Sequence, residues 1–400
     1  MDPHVLIVVP RLDIGGAEMH LVRVLPELRA AGLDVSVFVL ARGGRLESKL
    51  TACGVPLFGG STAASRLARS LIGGAALRRH IRRSKPDIVH FFLPEGYLVG
   101  AAASLGISNV IKIASRRSLA LYQRNHPLLA RLERHFHKSM RALLGNSNAV
   151  AAELVDECHA PDKIGLIHNG IDLPPPMTDE RRGAARSALG IPANAFVIAM
   201  IANLFAYKGH DDLLQALAQI RDRLRGPWRL VLLGRDAGAG TVLQRQAETL
   251  GLANNILWLD EQLDAQRPLE AADMAVLPSH EEGFSNSLLE KMAHALPVVA
   301  TRVGGNIDAV VDDESGLLVP VKDPRALGEA IGRLYEDAPL RARLGAAALM
   351  RVETLFSLPA CTRRYLNLYR GIRDGGTRPV RKIIDPVAPA EPMVHTPSPA

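Results

Sequence analysis

At 400 residues the chain exceeds the usual single-domain size, and its 48% hydrophobic content is ample for two sizeable cores. Aromatics at 4% are too sparse for a base-stacking surface, and three widely spaced cysteines, Cys53, Cys158 and Cys361, form no metal-ligand pattern and read as reduced packing residues. The net charge of +7 is uneven: residues 61–141 hold 15 basic and 3 acidic side chains, either as a solvated basic face or as a surface that attracts phosphate groups.

In chain order, residues 5–9 are a β-branched apolar run of strand length, closed by Pro10. No basic stretch precedes this run and no small-residue cleavage site follows it, so no secretory leader is expected. A Gly15-Gly16 turn leads into a helical pattern, Ala17, Leu21, Val22, Leu25 and Leu28, that stops near Gly32. Strands are predicted at 35–40, 86–92, 110–114, 142–144 and 164–167, with helices between them. The longest mild apolar stretch, residues 96–107, is too short to span a bilayer, which needs about 20 residues. Leu-Pro-Pro-Pro at 173–176 cannot continue a sheet and marks a domain boundary.

The second half restarts the same alternation. Strands are predicted at 196–201, 229–233, 256–259, 274–277 and 297–300, and helices at 211–224, 241–250, 288–295, 324–335 and 361–372. From Gly375 onward proline and small residues dominate, which predicts a disordered tail. Two doubly wound α/β domains follow, each with a parallel sheet covered on both faces. A dehydrogenase with one cofactor domain would need Gly-x-Gly-x-x-Gly after the first strand; that turn reads Asp-Ile-Gly-Gly-Ala-Glu.

The segment with the most chemistry is Ser279-His280-Glu281-Glu282-Gly283-Phe284-Ser285-Asn286-Ser287, after one strand and before a helix. Small residues at a helix start leave backbone N–H groups open, and the helix dipole favours an anion there. Carboxylates on either side, Glu282 and Glu290, can accept hydrogen bonds from sugar or ribose hydroxyls. On spacing alone, a capped Gly-Phe turn followed by a surface glutamate explains the pattern about as well.

Glu-Gly-Phe followed by Leu-Leu-Glu-Lys-Met-Ala and Ala-Leu-Pro-Val-Val-Ala-Thr resembles the signature of glycosyltransferase family 4, the group 1 retaining enzymes of the GT-B fold. The match is dense over residues 277–319, including Val303-Gly-Gly-Asn and Ser315-Gly-Leu-Leu-Val-Pro320, and weaker landmarks extend it to residues 1–372. The resemblance implies two Rossmann-like doubly wound domains facing a central cleft. Residues 1–172 would bind the acceptor, 173–185 would be a linker, 186–355 would bind a nucleotide sugar, 356–373 would be a C-terminal helix and 374–400 the tail.

Carried over by position, the resemblance makes Glu290 the ribose ligand and Glu282 the residue facing the transferred sugar, with Gly283, Phe284, Ser285 and Asn286 supplying backbone N–H groups. Ser287 and Leu288 would lie beside the phosphates, and Lys208, in Tyr-Lys-Gly-His, would neutralise the leaving diphosphate. Where the family often has a second clamping arginine, this chain has Asn203; Arg116 and Arg117 are candidates to replace it at the phosphate or the acceptor. Gly15 and Gly16 match the amino-terminal glycine loop, where a missing Cβ lets backbone approach the donor, and Glu18 would support it. The family often reads Pro-Asp-Val-Val-His-x-His; here the second histidine is Phe92, leaving His90 as either a catalytic residue or a strand-end structural one. Asp308 stands where the family commonly has glutamate, while His135 and His137 read as solvated on a basic helix.

The expectation is therefore a cytoplasmic, retaining, nucleoside-diphosphate-sugar-dependent glycosyltransferase of cell-surface polysaccharide biosynthesis. It would use no metal or other cofactor. Its acceptor would be a glycan or a lipid-linked molecule, with residues 61–141 a candidate contact to an anionic membrane at the inner leaflet; no nucleic-acid partner is expected. A GT-B epimerase or phosphorylase, and a degenerate sugar-nucleotide-binding protein, are the competing readings.

Overall fold

Strands built from unbroken Val, Ile and Leu must be buried on both faces, and the sheets bear this out. In the computed structural model, which describes residues 2–61, 65–124, 126–259, 265–373 and 378–385, the chain forms two compact units. Unit 1 comprises residues 1–171 and 358–400; unit 2 comprises residues 172–357.

Unit 1 holds β1 (Val5–Val9), β2 (Val35–Ala41), β3 (Leu57–Ser61), β4 (Ile88–Phe92), β5 (Ile111–Arg116), β6 (Ala142–Gly145) and β7 (Ile164–Leu166). They pair in parallel in the order β3-β2-β1-β4-β5-β6-β7, with Val5 opposite Val35 and Ile7 opposite His90. Unit 2 holds β8 (Phe196–Ile201), β9 (Trp228–Leu233), β10 (Ile256–Leu259), β11 (Met274–Leu277), β12 (Val298–Thr301) and β13 (Leu317–Val319). Its parallel order is β10-β9-β8-β11-β12-β13. In each sheet the strand order reverses once, between β1 and β4 and between β8 and β11. Connections leaving the two strands at such a point run to opposite faces, and the gap between them is where doubly wound sheets take ligands.

Two strands escaped prediction. β3 reads Leu-Phe-Gly-Gly-Ser and has no β-forming pattern at its centre. Gly59 sits at φ +129°, and an added Cβ would come 2.1 Å from the carbonyl oxygen of Val39, so this edge strand requires glycine there. β13 is three residues long and lies inside the Ser315–Pro320 landmark, too short to register as a period.

The C-terminal part corrects one expectation. The helix Leu358–Arg373 packs against the helix Gly16–Ala30 of unit 1 and fully buries Tyr365 and Tyr369. Tyr365 Oη lies 3.1 Å from His20 Nε2, and Tyr369 Oη lies 2.7 Å from His90 Nδ1. Beyond it, Val380–Ile384 forms a short helix with Val380, Ile383 and Ile384 buried against Gly165 and the preceding helix, so residues 378–385 are not a disordered tail. Three apolar residues on one helical face outweigh the proline-rich composition around them. Residues 374–377 and 386–400 lie outside the described residues.

Candidate functional site

Both strands flanking the reversal in unit 2 end in loops that carry charge. After β8 the chain makes a single turn, Ala206–Lys208, and Gly209 follows at φ +74°. A Cβ on Gly209 would come 2.0 Å from the carbonyl oxygen of Pro278 in the loop after β11. Glycine is thus what lets the two loops close on each other. The result is an ion pair: Lys208 Nζ donates to Glu282 Oε1 at 2.6 Å, with side chains 17% and 9% exposed. Ser279 Oγ donates to the same oxygen at 2.8 Å, and the Tyr207 ring lies 5.1 Å from the Lys208 ammonium. His280 is fixed by Asp212, 2.7 Å away in the first turn of the helix His210–Gln219.

Glu282 is also held from behind. Gly304, at φ +47°, and Gly305 press against the backbone of Glu282 and Gly283, where a Cβ would come within 1.7 and 2.3 Å of their carbonyl oxygens. The Phe284 ring packs on Phe356 at a centroid distance of 5.3 Å and anchors the loop before the helix Asn286–Ala293. Ser285 caps that helix by accepting from Leu288 N at 3.3 Å. Glu290 lies half-buried one turn further on. The arrangement gives a lysine, a carboxylate and a helix start at one sheet switch point, suited to a phosphorylated, hydroxyl-rich ligand.

Several expected site residues are placed differently. Leu288 is fully buried and its N–H is taken by the Ser285 cap, so it does not line the site. Ser287 turns its hydroxyl inward, donating to the Ile201 carbonyl at the end of β8 at 2.5 Å; only its backbone can face a ligand. The Asn203 side-chain oxygen accepts from Arg235 N at 3.0 Å and so stitches the loops after β8 and β9 together. Asp308 accepts from Arg351 through its backbone oxygen, as part of the short helix Asn306–Ala309.

In unit 1 the corrections are larger. His90 is 0% exposed, sealed between Tyr369 and Ser115 Oγ (2.8 Å), and burial pushes its pKa well below the usual histidine range. It is a neutral core histidine and not a catalytic one; Phe92 beside it is equally buried. Arg116 is not a free clamp: it donates to both oxygens of Glu157, at 2.5 and 2.7 Å, and to Glu133 at 3.0 Å. Burial pushes Glu157 up, yet hydrogen bonds from His137 and Arg116 outweigh it and hold the carboxyl down to about 2. Arg117 is engaged by Tyr365 at 3.3 Å and by Asn169. His135 is exposed as expected, whereas His137 is buried between Tyr97 (2.8 Å) and Glu157 (3.0 Å). Gly15 sits directly under Glu18, where a Cβ would come 2.5 Å from the carboxylate, and burial raises the Glu18 pKa.

Sequence reasoning missed two residues. Arg235 is exposed and follows β9, its backbone tied to Asn203; it sits beside the position that lacks the second arginine. An arginine just after a strand end is the only signal it gives. Lys291 reads as a helix-surface lysine after Glu290 but is fully buried.

Among the described residues no group of three or more His, Cys, Asp or Glu side chains could hold a metal ion, and no helix is long and apolar enough to cross a membrane.

Solved structures with this architecture include HepE of Anabaena in complex with UDP and glucose (TM-score 0.78, 21% identity, 91% of this chain and 98% of that one). Sucrose-phosphate synthase of Thermosynechococcus elongatus also matches (TM-score 0.79, 22% identity, 94% and 100%). With its two parallel-sheet α/β units, the chain has the GT-B fold of these proteins. The family model of glycosyl transferases group 1 matches residues 182–350, and that of glycosyltransferase family 4 matches residues 14–174. The D-inositol 3-phosphate glycosyltransferase of Corynebacterium diphtheriae is 27% identical over 84% of this chain and 85% of its own length. That of Stackebrandtia nassauensis is 36% identical over 52% of this chain and 49% of its own. The chain belongs to the group 1, family 4 glycosyltransferases.

Proposed function

We propose that the protein transfers a sugar, with retention, from a nucleoside-diphosphate sugar to a phosphate-bearing glycan or lipid-linked acceptor in cell-surface polysaccharide biosynthesis. The observation that carries this reading is the Lys208–Glu282 pair at the start of the Asn286 helix. As the bond from the sugar to the diphosphate breaks, Lys208 and the helix N–H groups meet the growing charge on the leaving group. The acceptor oxygen forms the new bond on the same face, and the departing phosphate takes its proton. Glu282 orients the sugar and Glu290 the ribose. The reading needs no metal, so donor turnover is expected to survive a chelator.

UDP-sugars are the first donors to test, since the HepE structures hold UDP, UDP with glucose, or UDP-glucose. A thermal-shift panel of UDP-, GDP- and ADP-sugars tests the donor: the true ligand at 100 times Kd adds about 2.7 kcal/mol. Slow donor hydrolysis abolished by Glu282→Ala would argue against a mere binding protein, and no epimerised sugar should form. The inositol 3-phosphate relatives favour a second reading, a small phosphorylated acceptor in place of a lipid-linked one.

The membrane component rests on unit 1. The helix Pro127–His137 exposes Leu128, Leu129 and Leu132 (81%, 40% and 44%) among the exposed Arg131, Arg134 and His135. The helix Arg66–Ser84 exposes Leu67, Leu71 and Ile72 together with Arg79, Arg82 and Arg83. Exposed apolar side chains on helices that also expose arginine fit the interface of an anionic leaflet on the cytoplasmic side. Flotation with phosphatidylglycerol vesicles should carry the protein, and Leu128→Asp with Leu132→Asp should abolish it. Absence of wild-type flotation removes the membrane reading.

A further inference from the structure

Lys291 is 0% exposed, on the inner side of the Asn286 helix. Its ammonium donates to Ser287 Oγ at 2.5 Å and to the carbonyl oxygens of Ser287 and Ile201, each at 3.3 Å. Three donors thus meet three acceptors, all of them neutral. Ile201 is the last residue of β8 and Ser287 the second residue of the helix, so the lysine staples the strand that leads into the Lys208 turn to the helix that follows the Glu282 loop. A methionine of similar volume would fill the space without burying a charge, and a buried charge with no opposite partner in hydrogen-bond contact is costly. Lys208 is paired with Glu282, whereas the hydrogen-bond partners of Lys291 are all neutral, and the positive end of the helix dipole lies one turn away.

We propose that Lys291 is a positioning residue for the donor: it holds Ser287 and the first helical turn on the end of β8, and its buried charge is fully matched only when the donor's phosphates arrive. This rests on the nucleotide-sugar reading above. The charged and titratable groups around Lys291 are Glu290 on its own helix, Glu282 from the loop after β11, Lys208 from the turn after β8, and His210 from the helix that follows. Burial lowers the lysine to about 7, the two glutamates resist this and Lys208 adds to it. An arriving polyphosphate raises that value again, so binding takes up a proton. Affinity is then highest below about pH 7 and falls as pH rises through it, by up to about tenfold per pH unit for one proton.

The test is calorimetric titration with UDP, GDP and ADP between pH 6 and 8.5, in buffers of different ionisation enthalpy, on the full chain. For whichever nucleotide binds, we expect the wild type above pH 7 to take up more protons than Lys291→Met does. That variant should bind about tenfold more weakly at pH 6.5, with a Tm equal to or above that of the wild type. Lys291→Arg, charged throughout, should restore affinity without the lysine's pH slope. Comparing the variants removes the nucleotide's own phosphate ionisation, which is common to all three. Equal affinity and an equal pH profile in Lys291→Met would overturn the proposal and leave the donor reading standing. So would a loss of Tm and affinity with the pH slope intact, the mark of a purely structural lysine. If none of the nucleotides binds the wild type, the donor reading fails and takes this inference with it.

Discussion

Lys208→Met should lower donor turnover by about 10²–10³-fold, the scale for removing a preorganised charge from a developing anion. Its ion pair with Glu282 is mostly buried, so the substitution also leaves a carboxylate whose remaining partner is the Ser279 hydroxyl. That costs about 1–3 kcal/mol of stability, far too little to explain the kinetic loss in a folded enzyme. Lys208→Met combined with Glu282→Gln removes the orphaned charge and should recover most of the stability while activity stays low. Steady-state hydrolysis of the donor, read beside urea unfolding, separates the two effects. Turnover within threefold of the wild type would remove Lys208 from the leaving-group role.

A chain ending at Ser357 is the second large effect, and here the loss is of folding. The helix Leu358–Arg373 contributes Cys361, Tyr365, Leu368, Tyr369 and Ile372 to the core of unit 1, all 2% exposed or less. Removing a single buried aromatic side chain costs about 3–5 kcal/mol, against a total of about 5–15 kcal/mol for a typical domain. Losing the whole helix also removes Tyr365 from His20 and Arg117, and Tyr369 from His90. The truncated protein should be insoluble or protease-sensitive throughout residues 1–171. Tyr369→Phe is milder, about 1–3 kcal/mol, because only the hydroxyl bond to His90 is lost. A soluble, cooperatively unfolding truncation product would contradict the assignment of this helix to the unit 1 core.

Much of this was legible beforehand, for identifiable reasons. Strands such as Val5–Val9 and Phe196–Ile201 are continuous apolar runs between turn residues, and nothing competes with that pattern. The Glu282–Glu290 segment and Lys208 were legible because the chemistry is local to two loops. What could not be read is what depends on partners distant in sequence. His90 looks the same in sequence whether it faces solvent or Tyr369, 279 residues away. Arg116 looks free until Glu133 and Glu157 close on it. Lys291 looks like any helix-surface lysine until its side chain turns toward Ile201. Most charged side chains are solvated, and these exceptions are satisfied by hydrogen bonds that the sequence does not announce.

Ile171 and Leu358 are joined by a backbone hydrogen bond of 2.8 Å, and everything between them is unit 2. Topologically, one unit is therefore inserted into the other, and this sets an order of events at the ribosome. Residues 1–171 emerge first but lack a piece of their own core. Residues 172–357 emerge as one continuous stretch and can finish folding before the earlier segment does. At about 5–20 residues per second, the nascent amino-terminal part waits roughly 10–40 s for its missing helix, with an apolar groove on the Gly16–Ala30 helix uncovered meanwhile. In the cell that interval is when the chain most depends on chaperones, and slowing synthesis through residues 172–357 should lower the yield of soluble protein.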